Sequence, residues 1–412
     1  MKILFLSHYF YPEGNAPASR TYENCKQWVK NDHEVTVITC APNVPNGRVY
    51  EGYDNSLFRR EKLSGISVVR VWTYLAANSG TYKRIANYIS FMVMAIIASL
   101  FVRKVDIIIA TSPQFFCGWA GIIVSKLIRK PLVLEIRDIW PESIKTLGAM
   151  ENETLLKTLQ ILELKMYRDS HKIVTVGNGY KQHLIEKNVP EHKVAVITNG
   201  VDTEIFHPAK PNKNLIRTLK LENKFICSYV GTIGLASGLE TILECAKMLL
   251  DENNHRVHFL LVGDGASKIH LENKARSYNL SNITFTGHQL KENIPDLLNV
   301  SNACIVHLRK NELFKTVLPS KIFEGAAMGI PILNGVDGDA KDLVTNLDCG
   351  IFFEPENSSS LKESIEYLLD NPKHCFEMGV NGRKQVKLNF ERTSLSEQYI
   401  KLLDNIHKQQ KE

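Results

Sequence analysis

Short apolar runs rich in β-branched residues recur along this chain at intervals long enough for a helix, and this alternation limits the fold more than any other feature. Predicted strands in the first half lie at residues 2–7, 34–39, 67–72, 107–111, 132–136, 172–176 and 194–197. Strands that alternate with helices predict a parallel sheet with helices on both faces. Ligands bind such sheets beyond the carboxyl ends of the strands, so the residues after each run are the first candidates for a functional site.

The same alternation restarts after a polar stretch, residues 203–223, that has the composition of a linker. Predicted strands in the second half lie at residues 225–230, 258–262, 283–286, 303–308, 330–333 and 351–353. A chain of 412 residues is also too long for one hydrophobic core. We therefore predict two parallel-sheet domains, residues 1–205 and 206–390, and a C-terminal helix within residues 391–412 that packs back towards the first domain.

Composition and charge exclude several classes of function. The formal charge of +6 and the pI of about 8.7 suit phosphorylated ligands or an anionic membrane face, but the basic residues are dispersed, so we expect no nucleic-acid partner. The eight cysteines stand singly, without zinc-site spacing, and are typical of buried thiols in a reducing compartment. Residues 1–7 lack the zones of a signal peptide, so we expect a cytoplasmic protein.

Residues 318–331 have the pattern of a helix that presents its own beginning to a ligand. Ser320 is placed to cap this helix and Gly329 to end it. A helix start offers free backbone N–H groups, and Lys321 adds a full positive charge, so the pattern predicts a phosphate site. Glu324, one turn deeper, could accept hydrogen bonds from both hydroxyls of a ribose. The same pattern is equally typical of an ordinary capped helix in which an early glutamate favours the dipole.

Two glycine-rich turns follow predicted strands, at residues 231–238 and 263–265. Glycines let backbone N–H groups approach a phosphate closely, and the first turn is a candidate for this role. Neither turn has the sequence of a Walker loop or of the GxGxxG fingerprint. Both could therefore be purely structural, and the second is interpreted in that way.

Several stretches together resemble one known family along almost the full length. Residues 33–39 are similar to its second strand, residues 199–202 with Phe206 to its passage between domains, and residues 323–331 to its donor-binding helix. With the two glycine turns and the restarting sheet, the chain resembles the GT-B glycosyltransferases of family four, which use nucleotide sugars. The resemblance implies an α/β fold with two Rossmann-like domains that face each other across a cleft, the donor on the second domain and the acceptor entering from the first.

Within that family, residues 137–143 and 318–321 are most similar to bacterial amino-sugar transferases of surface-polysaccharide pathways, including those for N-acetyl-L-fucosamine. The resemblance implies a UDP-sugar substrate, a lipid-linked sugar acceptor, retention of anomeric configuration, and no cofactor or metal. Asp337-Gly338-Asp339 is similar to the metal-binding DxD pair of a different transferase fold, but two acids in a polar loop are commonplace.

The chain departs from the family at positions that matter for chemistry. The family often carries a second glutamate eight positions before Glu324, where Thr316 stands here. Its arginine after the first loop glycine is Thr232, its lysine a few residues later falls within residues 236–238, and its histidine before the first-domain aspartate is Arg137. The positive charge for a diphosphate must therefore come from other residues.

The residues at the strand ends and in the family motifs form the candidate site. The catalytic candidates are Lys321, Glu324 and a general base, for which Asp138 is the first choice and His8 the second. Donor-binding candidates are Gly14, Asn15, Gly231, Thr232, Gly234, Arg309, Pro319, Ser320, Lys321 and Glu324. Acceptor-side candidates are Arg20, Arg137, Asp138 and Glu142. Asp138 could instead form a salt bridge with Arg137 or cap the turn that follows it.

We expect a glycosyltransferase of O-antigen or capsule assembly that is peripheral on the cytoplasmic face of the inner membrane. The most apolar window, residues 85–101, either packs on the sheet or dips one side into the membrane with its basic flanks at the lipid headgroups. Two rival functions stay open at this point. One is a UDP-sugar epimerase of the same shape, and the other is a nucleotide-sugar-binding protein that has lost turnover.

Overall fold

The computed structural model describes residues 1–44, 47–76, 81–112, 114–143 and 152–410. The chain divides into two units, one formed by Met1–Thr198 with the segment from Thr393 on, the other by Asn199–Arg392. The predicted boundaries lay at 205/206 and 390/391. The difference arises because Val201 and Phe206 belong to the core of the second unit, where Val201 also exchanges backbone hydrogen bonds with Phe390 and Arg392.

The first unit contains one sheet with helices around it. Its strands are β1 Lys2–Leu6, β2 Glu34–Cys40, β3 Phe58–Leu63, β4 Ile66–Val71, β5 Ile107–Thr111, β6 Leu132–Ile136, β7 Lys172–Thr175 and β8 Val194–Val196. Their order is β3-β4-β2-β1-β5-β6-β7-β8. The helices are Ala16–Lys30, Thr81–Ser99, Phe115–Ile128, Glu153–Asp169, Asn178–Glu186 and Arg392–Gln409, with a short 3-10 turn at Glu191–Lys193.

Strand β3 is absent from the prediction, and it pairs antiparallel with β4 while the other neighbours in the sheet are parallel. Its sequence, Phe-Arg-Arg-Glu-Lys-Leu, is too charged to be recognised as a buried strand. Ser64 and Gly65, which join β3 to β4, both have positive φ, as a tight hairpin turn requires. This Ser-Gly pair between two runs is the signal that could have predicted the hairpin.

The second unit has an all-parallel sheet with the Rossmann strand order. Its strands are β9 Phe225–Val230, β10 Val257–Val262, β11 Ile283–Gly287, β12 Ala303–His307, β13 Ile332–Gly335 and β14 Gly350–Phe352, in the order β11-β10-β9-β12-β13-β14. The helices are Lys213–Thr218, Glu240–Asp251, Lys268–Ser277, Ile294–Asn299, Ser320–Ala327, Asp339–Asn346, Ser358–Asp370 and Pro372–Asn389, and 3-10 turns span Leu235–Ser237, Lys291–Asn293 and Leu313–Thr316. The predicted α/β fold with two parallel-sheet domains is confirmed.

Alternate residues of the second sheet pack into separate cores on its two faces. Leu260 belongs to one buried cluster, whereas Phe259 and Leu261 belong to the other. Successive side chains of a strand point to opposite faces, so a sheet covered on both sides needs apolar residues at almost every position. This explains why these strands appear in the sequence as continuous apolar runs.

The C-terminal helix Arg392–Gln409 packs on the first unit. Tyr399 and Leu403 are fully buried in the same cluster as Trp28, and the Trp28 indole N–H donates a 3.1 Å hydrogen bond to the carbonyl of Ser396. The Trp28 and Tyr399 rings meet edge to face at 5.2 Å. The last helix thus completes the core of the first unit.

The apolar helix Thr81–Ser99 packs one side against the first unit. Its buried residues Asn87, Phe91, Ala95 and Ala98 line that side. Within the described ranges, no helix is both long enough and apolar enough to cross a membrane.

Leu403→Ala tests the packing of the last helix. Removing a fully buried leucine side chain should cost about 2–5 kcal/mol of the free energy of unfolding. Trp28, Trp72, Trp119 and Trp140, all the tryptophans of the chain, lie in the first unit, so tryptophan fluorescence during urea unfolding reports on this unit alone. Leu388→Ala, at an exposed position of the second unit, is the matched control and should leave that transition unchanged. Equal transitions for Leu403→Ala and wild type would contradict the packing.

Candidate functional site

A glycine loop follows β9 at the point where the strand order of the second sheet reverses. Such a reversal between β9 and β12 opens a crevice at the carboxyl ends of the strands. Gly231, the first residue of the loop, has φ +143°, and a Cβ there would lie 2.8 Å from the Lys321 Nζ. The Tyr229 hydroxyl holds the turn, at 2.8 Å from the Thr232 carbonyl and 2.9 Å from the Ser237 Oγ. The loop therefore runs directly past the Lys321 side chain.

The second glycine turn supports the first. A Cβ at Gly263 or Gly265 would overlap the carbonyl oxygen of Gly231 or Ile233, respectively. The Ile233 N–H donates to the Asp264 carbonyl, and the Ser267 N–H donates to the Ile233 carbonyl, at 2.9 and 3.0 Å. This turn is structural, as predicted, because its glycines let the two loops pack backbone to backbone.

The helix Ser320–Ala327, here called the Ser320 helix, begins one residue earlier than a Ser320 cap would require. Pro319 is the N-cap and accepts the N–H of Ile322 through its carbonyl, and no side chain caps the helix. The predicted capping role of Ser320 is therefore wrong, because Ser320 is the first residue of the helix itself. The first N–H groups of an α-helix have no partner within the helix, so they can bind an anion. Gly329, at φ +69°, follows the end of the helix as predicted.

Lys321 lies where this helix meets the glycine loop, and Glu324 follows it within the same helix. The Lys321 ammonium is 5.0 Å from the centre of the Tyr229 ring, within cation–π range. Burial raises the pKa of Glu324, and the charges of Lys321 and Lys291 partly oppose this rise. The structure thus brings Gly231, Lys321 and Glu324 together, although 90 residues of sequence separate the loop from the helix.

Lys291 is a residue near this site that the prediction missed. It lies in the 3-10 turn Lys291–Asn293, where burial lowers its pKa while the carboxylates of Glu324 and Asp202 raise it. No motif marks Lys291 in the sequence, since it becomes a neighbour of Glu324 only through the fold.

Arg309 supports the glycine loop from the side and is already paired. Its Nε donates to the Leu235 carbonyl at 2.7 Å, and its two terminal nitrogens lie 3.3 Å from Glu240 and from Glu356. The two carboxylates offset its charge, which makes Arg309 a weaker candidate for a diphosphate ligand than Lys321. Neither Glu240 nor Glu356 was predicted.

His307, the last residue of β12, joins the loop to the turn that contains Glu356. Its Nδ1–H donates to the Ser237 carbonyl at 2.7 Å, and its Nε2 accepts the Glu356 N–H at 3.0 Å. These two bonds define a neutral tautomer, and burial lowers the pKa of this histidine. His307 therefore has a positioning role for the loop.

Thr232 and Gly234, the other predicted residues of the glycine loop, contribute backbone rather than charge. Thr232 contributes its carbonyl to the turn, and a Cβ at Gly234 would meet the Thr232 side chain at 3.6 Å.

Thr316 donates its hydroxyl to the Leu313 carbonyl at 2.7 Å, so nothing replaces the missing glutamate at that position. Asp337 pairs with Lys315 and Lys341, at 4.0 and 3.8 Å. Among the described residues, no group of three or more acidic, cysteine or histidine side chains is placed to hold a metal ion.

Asp138 follows β6 at the carboxyl edge of the first sheet. Burial raises its pKa to about 6, although hydrogen bonds from the Ser143 hydroxyl, at 3.1 Å, and from the Ile139 N–H oppose the rise. With Ser112 and Trp140 it lines a cavity of about 10 Å³, room for about one water molecule. A carboxylate that titrates near neutrality is suited to proton transfer.

The Arg137 side chain pairs with Glu135, not with Asp138. Glu135 is fully buried in β6, with Arg20 Nε at 3.4 Å and Arg137 Nε at 3.9 Å. Burial lowers the pKa of Arg137 to about 10, against the opposing charge of Glu135. Arg20 also donates to the carbonyls of Ile197 and Thr198, at 2.9 and 2.7 Å, which favours a structural role over the predicted acceptor contact. A glutamate within an apolar strand was the signal for this cluster.

Glu142 is tied to the helix Asn178–Glu186 and the residue that follows it. His183 Nε2 and Lys187 Nζ each lie 2.7 Å from its carboxylate. Burial alone would raise its pKa, but the hydrogen bonds from these two residues prevail and lower it to about 2. Glu142 is therefore an ionised, fixed carboxylate, unlike Asp138.

The remaining predicted residues of the first unit follow β1. His8 is buried among Tyr9, Tyr88 and Phe91, and burial lowers its pKa to about 4 against a hydrogen bond with Asn87. This enclosure makes His8 a weaker candidate base than Asp138.

Asn15 caps the helix Ala16–Lys30 by accepting the Ala18 N–H at 2.9 Å. Gly14 has open space where a Cβ would stand. The buried Glu13 was missed by the prediction, and its carboxylate accepts the N–H groups of Asn43 and Val44, at 2.9 and 3.2 Å. Glu13 thereby fixes the loop that precedes Gly14.

Two family models match the chain. Residues 18–205 match Glycosyltransferase Family 4, and residues 212–385 match Glycosyl transferases group 1. The two ranges together include most of both units. The chain belongs to the glycosyltransferases with the GT-B fold.

Relatives and solved structures agree with this assignment. A protein of Escherichia coli strain K12, provisionally described as the colanic acid biosynthesis glycosyl transferase WcaI, is 29% identical over 91% of this chain and 93% of its own. The E. coli UDP-Gal:alpha-D-GlcNAc-diphosphoundecaprenol alpha-1,3-galactosyltransferase is 27% identical over 69% of this chain and 73% of its own. Anabaena Alr3699/HepE, solved with UDP-glucose, has a TM-score of 0.73 at 17% identity and covers 98% of this chain and 100% of that one. The chain is thus similar to glycosyltransferases of bacterial polysaccharide biosynthesis.

Asp138→Asn tests the buried carboxyl. A pKa raised from 3.8 to about 6 in the folded state means that the native protein binds the proton more tightly than the unfolded chain. The contribution of Asp138 to stability is complete below about pH 4 and is lost as the pH rises through about 6. Urea unfolding followed by tryptophan fluorescence should show this as a difference in the free energy of unfolding. From below pH 4 to above pH 6, the variant should gain about 3 kcal/mol relative to wild type.

Glu186→Gln, the same type of change at an exposed position of the first unit, is the control for the Asp138 experiment. A difference between Asp138→Asn and wild type that does not vary with pH would contradict the buried assignment.

Proposed function

We propose that this glycosyltransferase moves a sugar from a UDP donor to a lipid-diphosphate-linked acceptor during assembly of a bacterial O-antigen or capsule. The observation that carries the proposal is the meeting of the glycine loop, the start of the Ser320 helix, Lys321 and Glu324 within the second unit. Helix N–H groups and one ammonium suit a diphosphate, and a carboxylate one turn deeper suits the ribose hydroxyls.

The comparisons support the donor and acceptor classes that we propose. The Anabaena structure of the same fold holds UDP-glucose, and the E. coli relative is named for a UDP donor and a diphosphoundecaprenol-linked acceptor. The sugar that we propose is an N-acetylated deoxyamino sugar such as N-acetyl-L-fucosamine, on the sequence resemblance of residues 137–143 and 318–321. The place of action that we propose is the cytoplasmic face of the inner membrane, where a lipid-linked acceptor would be available.

In the proposed reaction, the bond between the anomeric carbon and the diphosphate oxygen breaks, and its electron pair stays on the departing UDP. Lys321 and the first N–H groups of the Ser320 helix would stabilise that charge, so the proposal involves no metal ion or other cofactor. The acceptor hydroxyl oxygen forms the new bond, and its proton passes to a base. We propose Asp138 for this base, because its pKa of about 6 leaves it largely ionised at neutral pH while still able to take a proton. The family resemblance supports retention of configuration, for which the acceptor hydroxyl would approach the anomeric carbon on the face that UDP leaves.

A transfer assay with labelled UDP-amino sugars and lipid-diphosphate-linked sugars tests the proposal. Lys321→Met should lower label transfer into the lipid fraction about 100-fold or more, because a preorganised charge on the leaving group is lost. Lys373→Met, at a position whose side chain is 92% exposed, is the matched control and should transfer at the wild-type rate. EDTA should not change the wild-type rate.

Each contrary outcome identifies a different error. Epimerised donor without any transfer would favour the epimerase. Donor binding without turnover across the acceptor panel would favour a binding protein. Equal transfer by Lys321→Met and wild type would contradict the placement of the diphosphate.

A further inference from the structure

The helix Thr81–Ser99 and the turn after it carry an exposed apolar stripe. Ile89, Val93, Ile97 and Phe101 recur every four residues, which places them along one side of the helix. Their exposed fractions are 39%, 45%, 39% and 65%. Phe91, on the other side, is fully buried. One helix side thus secures the element to the first unit, and the opposite side presents large apolar residues to the surroundings.

The edge strand β3 extends this stripe. Phe58, Arg60 and Lys62 are exposed and alternate along β3, so they share one face of the strand. The Phe58 ring lies 6.5 Å from the Phe101 ring, which joins that face to the end of the helix stripe. We call the combined surface the apolar face, and it consists of Leu57, Phe58, Ile89, Val93, Ile97, Leu100 and Phe101.

Cations accompany the apolar face. Residues 81–104 contain no aspartate or glutamate. Glu61, the acidic residue of β3, forms an ion pair with Arg70 at 2.8 Å. Its position alternates with those of the exposed residues of the strand. Exposed basic residues on the two elements and in the turn after the helix are Arg60, Lys62, Lys83, Arg103 and Lys104.

We propose that the apolar face is a docking surface for a lipid bilayer that contains anionic lipids. The apolar side chains would enter the boundary between headgroups and acyl chains, and the cations would meet the lipid phosphates. A second copy of the chain is a poorer occupant, because two such faces would bring like charges together. The helix lies in the membrane plane in this arrangement, since its other side is committed to packing. The inference rests on the proposed function in one respect: a lipid-linked acceptor requires an enzyme at the membrane.

Flotation of the full chain with vesicles tests the proposal. Wild type should bind phosphatidylcholine vesicles that contain phosphatidylglycerol, bind pure phosphatidylcholine vesicles about tenfold less, and lose most of this difference at about 1 M salt. Val93→Asn/Ile97→Asn should lower the partition onto the anionic vesicles about tenfold or more, because two apolar side chains no longer enter the bilayer. Arg60→Ala/Lys62→Ala/Arg103→Ala should remove the preference for anionic vesicles.

Ile269→Asn/Val380→Asn is the matched control, with exposed side chains of the same types in the second unit. It should bind vesicles as wild type does. Circular dichroism and the tryptophan fluorescence midpoint in urea show whether each variant is folded.

Three outcomes would overturn the proposal. The first is a failure of the wild-type protein to bind anionic vesicles. The second is binding of the Val93→Asn/Ile97→Asn variant to these vesicles as strong as that of wild type. The third is a wild-type dimer in sedimentation that the same variant abolishes, since the face would then belong to a second copy. UDP binding, measured on every variant, separates this proposal from the proposed function. Intact UDP binding with no vesicle binding refutes only the docking, and vesicle binding without UDP binding refutes only the donor assignment.

Discussion

The lack of a side chain at Gly231 lets Lys321 lie across the end of β9. The proposed binding of the UDP donor depends on this contact. A Cβ at residue 231 would lie 2.8 Å from the Lys321 Nζ, and the φ of +143° is itself unfavourable for other residues. Backbone from the loop, N–H groups from the Ser320 helix and one ammonium therefore converge where the strand order reverses. His307 and the second glycine turn hold the loop in place. Where the family often has arginine and lysine in the loop, this chain has Thr232 and residues 236–238, and the proposal assigns the positive charge to Lys321 on the helix.

Much of the fold could be predicted from the sequence, because strands covered on both faces are continuous apolar runs and helices separate them. The predicted runs match strands within a few residues, from β1 to β14. Strand β3 escaped prediction because an exposed edge strand needs no apolar run, and its alternating charges resemble those of a loop. The boundary near residue 200 was displaced for another reason. Val201 and Phe206 join the second core through contacts with residues close to 390, which local composition does not reveal.

The candidate site was predictable where a motif is local and was not where partners are distant in the chain. Lys321, Glu324 and Gly329 fall within one short stretch, and their helix is present. The pairing of Arg309 was hidden, because Glu240 and Glu356 lie 69 and 47 residues away. Asp138 and Arg137 are adjacent in sequence, yet they do not pair with each other. Burial raises the pKa of Asp138 to about 6, and Arg137 forms an ion pair with Glu135. Sequence shows which groups can titrate, and only the fold shows which of them are buried or paired.

The contact between Glu324 and a ribose is the central claim, and equilibrium binding of UDP and 2′-deoxy-UDP to wild type and Glu324→Gln tests it most directly. A carboxylate that accepts from the ribose should make wild type prefer UDP by about tenfold or more, since hydrogen bonds to charged groups contribute about 1.5–3 kcal/mol. Glu324→Gln keeps a neutral acceptor oxygen but loses the charge, so its preference for UDP should fall several-fold, and the difference between the two preferences measures the charged interaction. A preference for UDP that survives unchanged in Glu324→Gln would contradict the account.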